Sequence, residues 1–134
     1  DDVINVAGHR LGTREIEECI SSHANIAEVA VVGVADQLKG QVAMAFAVPK
    51  NAAAMESTEA RAQLEAEVMK LVDSQMGAVA RPARVHFVTT LPKTRSGKLL
   101  RRALQAVAER RDPGDLTTME DPAALQQVKA LVEA

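Results

Sequence analysis

Lys98 stands directly after Ser96 and Gly97, on a stretch that also carries Lys93 and Arg95 and leads into a helical pattern. A glycine at that point opens backbone conformations closed to other residues and lets a ligand come close. A lysine delivers a compact positive charge on a flexible stem, which is useful wherever oxyanions accumulate negative charge in a transition state. The same residues also read as a solvated basic loop. Gly97-Lys98 invites comparison with the phosphate loop G-x-x-x-x-G-K-[ST], but Pro92 stands where its first glycine belongs and Leu99 replaces the hydroxyl that would hold magnesium. With no glycine-rich cradle of amides before it, this loop alone does not read as a nucleotide hydrolase.

Gly8, His9 and Arg10 form a second constellation, a turn glycine beside a guanidinium able to engage phosphate bidentately. His9 reads as a solvated or packed imidazole rather than a catalyst. His23 and His86 are remote from each other and lack the spacing of metal ligands, so no metal site is expected. Cys19 falls on the inner stripe of a predicted helix and reads as an inert core thiol, and Asp1-Asp2 as a solvated acidic pair.

The elements that must position these residues follow from periodicity. Val3 to Val6 is β-prone, and the glycines at 8 and 12 predict a small N-terminal hairpin. Thr13 is a candidate N-cap for a helix carrying Ile16, Cys19 and Ile20 that stops near His23 to Asn25. Glu28 to Val34 is a nearly unbroken aliphatic run, expected as a strand covered on both faces and central in its sheet. Val42, Met44, Phe46 and Val48 alternate with Ala43, Ala45 and Ala47, which predicts a strand with one bulky and one thin face, ended by Pro49. The segment 50–56 reads as a loop. Ser57 then caps a long helix with the stripe Leu64, Val68, Leu71, Val72 and Met76, closed by Gly77. A short strand is expected around Val85 to Val88, a surface loop over 91–98, and a third helix just after Lys98 with Leu100, Ala103, Leu104 and Val107 inside. Asp121-Pro122 opens a last helix whose inner face is Leu125, Val128, Leu131 and Val132. The fold class expected is α+β: a small mixed sheet with an N-terminal hairpin, covered by two or three helices, plus a C-terminal helical tail docked on the outside. Residues 1–111 form the main unit and 112–134 a helical extension packed on it.

Composition narrows the function classes. The 134 residues carry a formal charge of −2, 47% hydrophobic and 25% charged residues, which describes a soluble globular chain without global attraction for nucleic acid or anionic lipid. Trp and Tyr are absent and Phe46 and Phe87 are the only aromatics, so base-stacking platforms have almost nothing to be built from. One cysteine, no signal-like segment and no long apolar run make a cytoplasmic, non-membrane protein the default. Asp1 is not an initiator Met and its surroundings read as the middle of a structured run, so the sequence reads as a fragment.

Taken together, the run Asp1 to Glu17 (DDVINVAGHRLGTREIE) and the downstream run Leu91 to Lys98 (LPKTRSGK) resemble the C-terminal domain of adenylate-forming acyl-CoA synthetases. The first looks like the hinge-and-turn motif and the second like the lysine motif that ends the adenylation fold. Both occur in family order, and the likeness spans essentially the whole chain. The extension from Arg110 to Thr118 with Asp121-Pro122 looks most like propionyl-CoA synthetase, with acetyl-CoA synthetase next.

The resemblance implies a two-step reaction. A carboxylate attacks the α-phosphorus of Mg-ATP to give acyl-adenylate and pyrophosphate, and the thiol of CoA then displaces AMP to give the thioester. It further implies that Lys98 serves adenylation, that Asp1 is the hinge of a domain rotation, and that Gly8 leaves room for pantetheine. Arg10 and Arg95 would contact nucleotide or CoA phosphates, with Ser96 and Gly97 as the flexible lysine loop. ATP, Mg2+ and CoA belong to the whole enzyme, none being bound by this domain alone. The partners implied are an N-terminal adenylation domain, propionate or acetate, and a lysine acetyltransferase and deacetylase acting on Lys98. One departure concerns CoA: where the acetate branch places a basic residue at the end of the long helix, this chain reads Val72-Asp73-Ser74-Gln75. Two alternatives remain beside this reading. One is a non-catalytic phosphate- or nucleic-acid-binding module using Lys93, Arg95, Lys98, Arg101 and Arg102; the other is a regulatory domain that shares the scaffold without its chemistry.

Overall fold

The structure is a computed structural model and describes residues 2–134. The hinge expected at Asp1 lies outside the described residues. Strands β1 (Val3–Val6) and β2 (His9–Gly12) pair antiparallel, Ile4 opposite Leu11 and Asn5 opposite Arg10. Their turn is Ala7-Gly8, with φ of 50° and 86°, the left-handed pair that a two-residue hairpin needs to match strand twist.

Helix α1 (Thr13–Ser21) follows at once. Its N-cap is Gly12 and no side chain caps it; Thr13 is instead the first helical residue, 1% exposed, its hydroxyl donating to the Asp2 carbonyl at 3.2 Å. The cap expected at Thr13 is therefore displaced by one residue, because the hairpin strand runs straight into the helix and pulls Thr13 inward.

Strand β3 (Ile26–Asp36) pairs antiparallel with β4 (Gly40–Pro49), and β5 (Arg84–Phe87) pairs parallel with β4 over Met44 to Ala47. β1 reaches β4 only at Val6 and Gly40. The central strand is thus β4, with β3 along one side and β1 and β5 sharing the other. The aliphatic run of β3 does not mark a central strand, as the sequence implied; it marks an edge strand with both faces buried. Its free edge is sealed by side chains. Val31 N–H donates to Glu17 Oε2 at 2.8 Å and Ala35 N–H to Glu109 Oε2 at 2.7 Å, while Arg101 donates to Val31 O and Gln105 to Gly33 O. Helix side chains occupy the places of a missing strand, which removes a pairing hazard.

Helix α2 (Thr58–Met76) begins where Ser57 accepts a hydrogen bond from Ala60 N–H and ends at Gly77 with φ 90°, and a short 3-10 turn, Ala52–Met55, precedes it inside the segment read as a loop. The thin face Ala43, Ala45 and Ala47 lies in one buried cluster with Ile16, Ile20, Leu64, Val68 and Val72 of α1 and α2. On the opposite face Phe46, with Ala30 and Val32, packs with Leu104 and Val107 of α3 (Arg101–Ala108) and Leu125 and Val128 of α4 (Pro122–Glu133). Helices therefore cover both faces of a five-stranded mixed sheet, and the α+β expectation holds. α3 starts at Arg101, three residues beyond Lys98, because Leu99 and Leu100 are still engaged with Lys93 and Pro92. α4 is capped as the Asp-Pro pair predicts, Asp121 accepting from Ala123 N–H. It is more than an outer tail: Val128 is fully buried, so α4 forms a wall of the second core. Among the described residues no helix is long and apolar enough to cross a membrane.

Candidate functional site

The lysine segment is a closed turn. Thr94 N–H donates to Lys98 O at 2.8 Å, Gly97 N–H to Thr94 O at 2.9 Å, and Lys98 N–H to the Thr94 hydroxyl at 3.1 Å. Ser96 Oγ lies 3.0 Å from the same hydroxyl. Gly97 has φ 89°, a conformation that lets the chain reverse within these few residues and that any side chain would strain. Pro92 and Leu91 are buried beneath the turn, whereas residues 95–98 are exposed. The Lys98 ammonium has no ion-pair partner among the described residues, so its charge is available to whatever docks there.

The neighbouring cations behave differently. Lys93 Nζ is bound to the Glu28 carboxylate of β3. Arg101 makes a two-pronged contact with Glu17, at 2.9 and 3.4 Å, donates to Val31 O at 2.6 Å, and lies 3.8 Å from Asp2. Arg95 reaches only the Thr117 carbonyl at 3.5 Å, and Arg102 has no ion pair among the described residues. Two of the five cations of the basic segment are thus internally neutralised, and the patch a polyanion would meet shrinks to Arg95, Lys98 and Arg102. Asp2 is correspondingly less a solvated acid than a partner of Arg101. Glu17 and Glu28 are the residues that sequence reasoning missed, since nothing local to either marks a partner so distant in the chain.

Gly8 sits at the other end of the ribbon. Ala7 N–H donates to Lys39 O at 2.8 Å, tying the hairpin turn to the β3–β4 turn, and no atom lies within 4 Å of where a Gly8 Cβ would stand. Arg10 points outward from β2 with no hydrogen bond or ion pair among the described residues, and His9 beside it is exposed. A cleft of about 500 Å³ adjoins the turn, with Lys39 and Arg81 on its rim and Met69 and Val79 within. Arg81 is paired with Asp73 at 3.5 Å, near the end of α2, where the helix itself carries no basic residue.

Lys93 is bound at Glu28, and the hairpin meets the ribbon at Gly40, which pairs with both Val6 and Asp36; Glu28 and Asp36 are eight residues apart on β3. At ~3.3 Å per residue the separation is roughly 26 Å. The Lys98 turn and the Gly8 turn thus lie toward opposite ends of the β3–β4 ribbon.

Three further titratable groups, Cys19, His86 and Glu109, are engaged by the fold. Cys19 is buried, its thiol 3.3 Å from Gln75 Oε1, and burial pushes its pKa up. His86 stacks on Phe46 with centroids 5.4 Å apart; burial, aided by Arg84, holds its pKa below the usual imidazole value. Burial works to raise Glu109, but hydrogen bonds from Arg111 and the Ala35 N–H overcome it and keep that carboxyl below the ordinary range. No cluster of metal-ligating side chains exists among the described residues.

Residues 15–98 of this α+β module match the AMP-binding enzyme C-terminal domain, and the chain belongs to that family. Lys98 is the last matched residue, while Gly8 and Arg10 precede the matched span. The chain is 62% identical over 133 residues to the propionate–CoA ligase of Salmonella typhimurium, covering 99% of this chain and 21% of that protein. It is 49% identical over 133 residues to the acetyl-coenzyme A synthetase of Pyrobaculum aerophilum, covering 99% of this chain and 19% of that one. An acyl-CoA synthetase of Brucella canis shares the fold with a TM-score of 0.63 and 37% identity, over 74% of this chain and 17% of that structure. The chain thus spans about a fifth of the length of the curated relatives it matches.

Proposed function

We propose that this domain serves an ATP-dependent short-chain acyl-CoA synthetase, a propionate–CoA ligase before an acetate–CoA ligase, as its mobile adenylation lid. The observation that carries the reading is the placement of Lys98 and the Gly8 turn at opposite ends of the β3–β4 ribbon, with only Lys98 of the lysine segment both exposed and bare of partners. In the first step the acyl carboxylate attacks the α-phosphorus of ATP and pyrophosphate leaves. Two anions must meet, so an ammonium held between them lowers the repulsion and orients the nucleophile. In the second step the CoA thiol attacks the acyl carbon and AMP leaves, and the same ammonium would obstruct entry. Rotation about a hinge at Asp1 withdraws Lys98 and brings up the Gly8 turn.

The pocket for the acid, the main nucleotide loops and the ligands of ATP's Mg2+ belong to an N-terminal adenylation domain. Open space at Gly8 fits a wall against which pantetheine lies, and Lys39 beside it offers charge to CoA phosphates. Arg10 and Arg95 are the candidates for nucleotide phosphate contacts. A cytoplasmic setting accords with a single buried thiol. Acetylation of Lys98 by a lysine acetyltransferase, reversed by a deacetylase, would erase the charge that adenylation needs.

The test uses the full-length enzyme. A cation ~4 Å from an anion at an effective dielectric of about 20 contributes roughly 4 kcal/mol, equivalent to about a thousandfold in rate. Lys98→Ala should therefore reduce pyrophosphate release on that order while leaving thioester formation from preformed acyl-adenylate within about threefold. Gly8→Leu should do the reverse. Equal loss of both half-reactions in Lys98→Ala overturns the assignment.

A further inference from the structure

Two of the cations around Lys98 are taken up by carboxylates of the fold. Lys93, five positions before it, is bound to Glu28, and Arg101, three positions after it, to Glu17 and the Val31 carbonyl. Both attachments end on β3 or at its sealed edge, three residues apart. Between them the turn closes on itself through the Lys93–Leu99 bridge and the Thr94 hydrogen bonds. α3 continues the attachment: Arg101, Gln105 and Glu109 recur every fourth residue and meet β3 at 31, 33 and 35. Four helical residues rise ~6.0 Å and two strand residues ~6.6 Å, so helix and strand stay in step along the edge. A slip of α3 by one residue would break the whole set.

We propose that Lys93 and Arg101 are positioning residues which clamp the Lys98 turn to β3 from both sides, so that the Lys98 ammonium is held toward the reacting site while neither clamping cation touches substrate. This rests on the adenylation role assigned to Lys98. The clamp is electrostatic and lies at the margin of the fold: the Lys93 and Glu28 side chains are 30% and 42% exposed, and Arg101 and Glu17 26% and 17%. Weakening the first contact therefore removes little from global stability, whereas a misplacement of Lys98 on the order of 1 Å costs up to about a hundredfold in a rate set by orientation.

The experiment compares Lys93→Met, Arg101→Met, the charge-exchanged pair Glu28→Lys with Lys93→Glu, and Lys98→Ala as reference, all in the full-length enzyme. Each is assayed for pyrophosphate release, for thioester formation from preformed acyl-adenylate, and for thermal unfolding. We expect each Met variant to lose roughly 10–100-fold in kcat for adenylation, with the second half-reaction within about threefold. The exchanged pair should recover most of the loss caused by Lys93→Met. Unchanged adenylation in both Met variants refutes the clamp, as does parallel loss of both half-reactions with a lowered melting temperature, which is general loosening. An exchanged pair as impaired as Lys93→Met assigns Lys93 to direct substrate contact and refutes the clamp at that residue. If Lys98→Ala itself adenylates normally, it is the parent reading that falls, and the clamp loses its purpose with it.

Discussion

Glu17 closes the open edge of the sheet, and its removal tests whether that edge needs closing. Its carboxylate accepts from the fully buried Val31 N–H at 2.8 Å and from both terminal nitrogens of Arg101, with only 17% of the side chain exposed. In Glu17→Ala the Val31 N–H loses its acceptor, which costs about 1–3 kcal/mol in a partly buried place. Arg101 loses a charge-assisted partner worth about 1.5–3 kcal/mol, but keeps the Val31 carbonyl and has Asp2 nearby. Since the two losses share one site and water enters the gap, they do not add fully, and about 3 kcal/mol is expected, a fall in Tm on the order of 10 °C. Glu17→Gln keeps an acceptor for Val31 and loses the charge, so about 1 kcal/mol is expected. Urea unfolding gives the free energies, and amide hydrogen exchange at Val31 reports the edge itself. A Glu17→Ala protein less than about 0.5 kcal/mol below wild type, with Val31 still protected, would refute the reasoning.

His86 ties stability to pH. Burial, then Arg84, depress its folded pKa below the ordinary 6.5, so as the pH falls the unfolded chain takes up the proton first. Stability should be full above about 6.5 and decline as the pH drops from there through the folded value. His86→Phe, which preserves a ring on Phe46, should flatten that decline; equal slopes for the two proteins between about pH 7.5 and 5.5 would exclude His86 as the source. Removal of residues 112–134 strips Met119, Leu125 and Val128 from the second core, and should abolish cooperative unfolding and expose apolar surface to a hydrophobic dye. A truncated chain that still unfolds in one sharp transition would show that the main unit stands without its extension.

What the sequence determined by itself is local. Left-handed backbone at Ala7-Gly8 fixes the hairpin, Ser57 and Gly77 bound the long helix, Asp121-Pro122 starts the last one, and strict alternation over 42–48 names the thin alanine face. Each of these is settled between near neighbours, as is the turn that exposes Lys98, and the two motifs placed the family before any contact was known. Tertiary structure decided what depends on distant meetings. Face burial and edge position are independent properties, so the aliphatic run of β3 announced two covered faces and left its place at the edge unspoken. Glu17 meets Arg101 across 84 positions and Glu28 meets Lys93 across 65, and no local pattern chooses such partners. Only the packed fold divided a row of five similar cations into two that brace, Lys93 and Arg101, and three that stay exposed, Lys98 among them, because charge is neutralised by whatever the topology brings within reach.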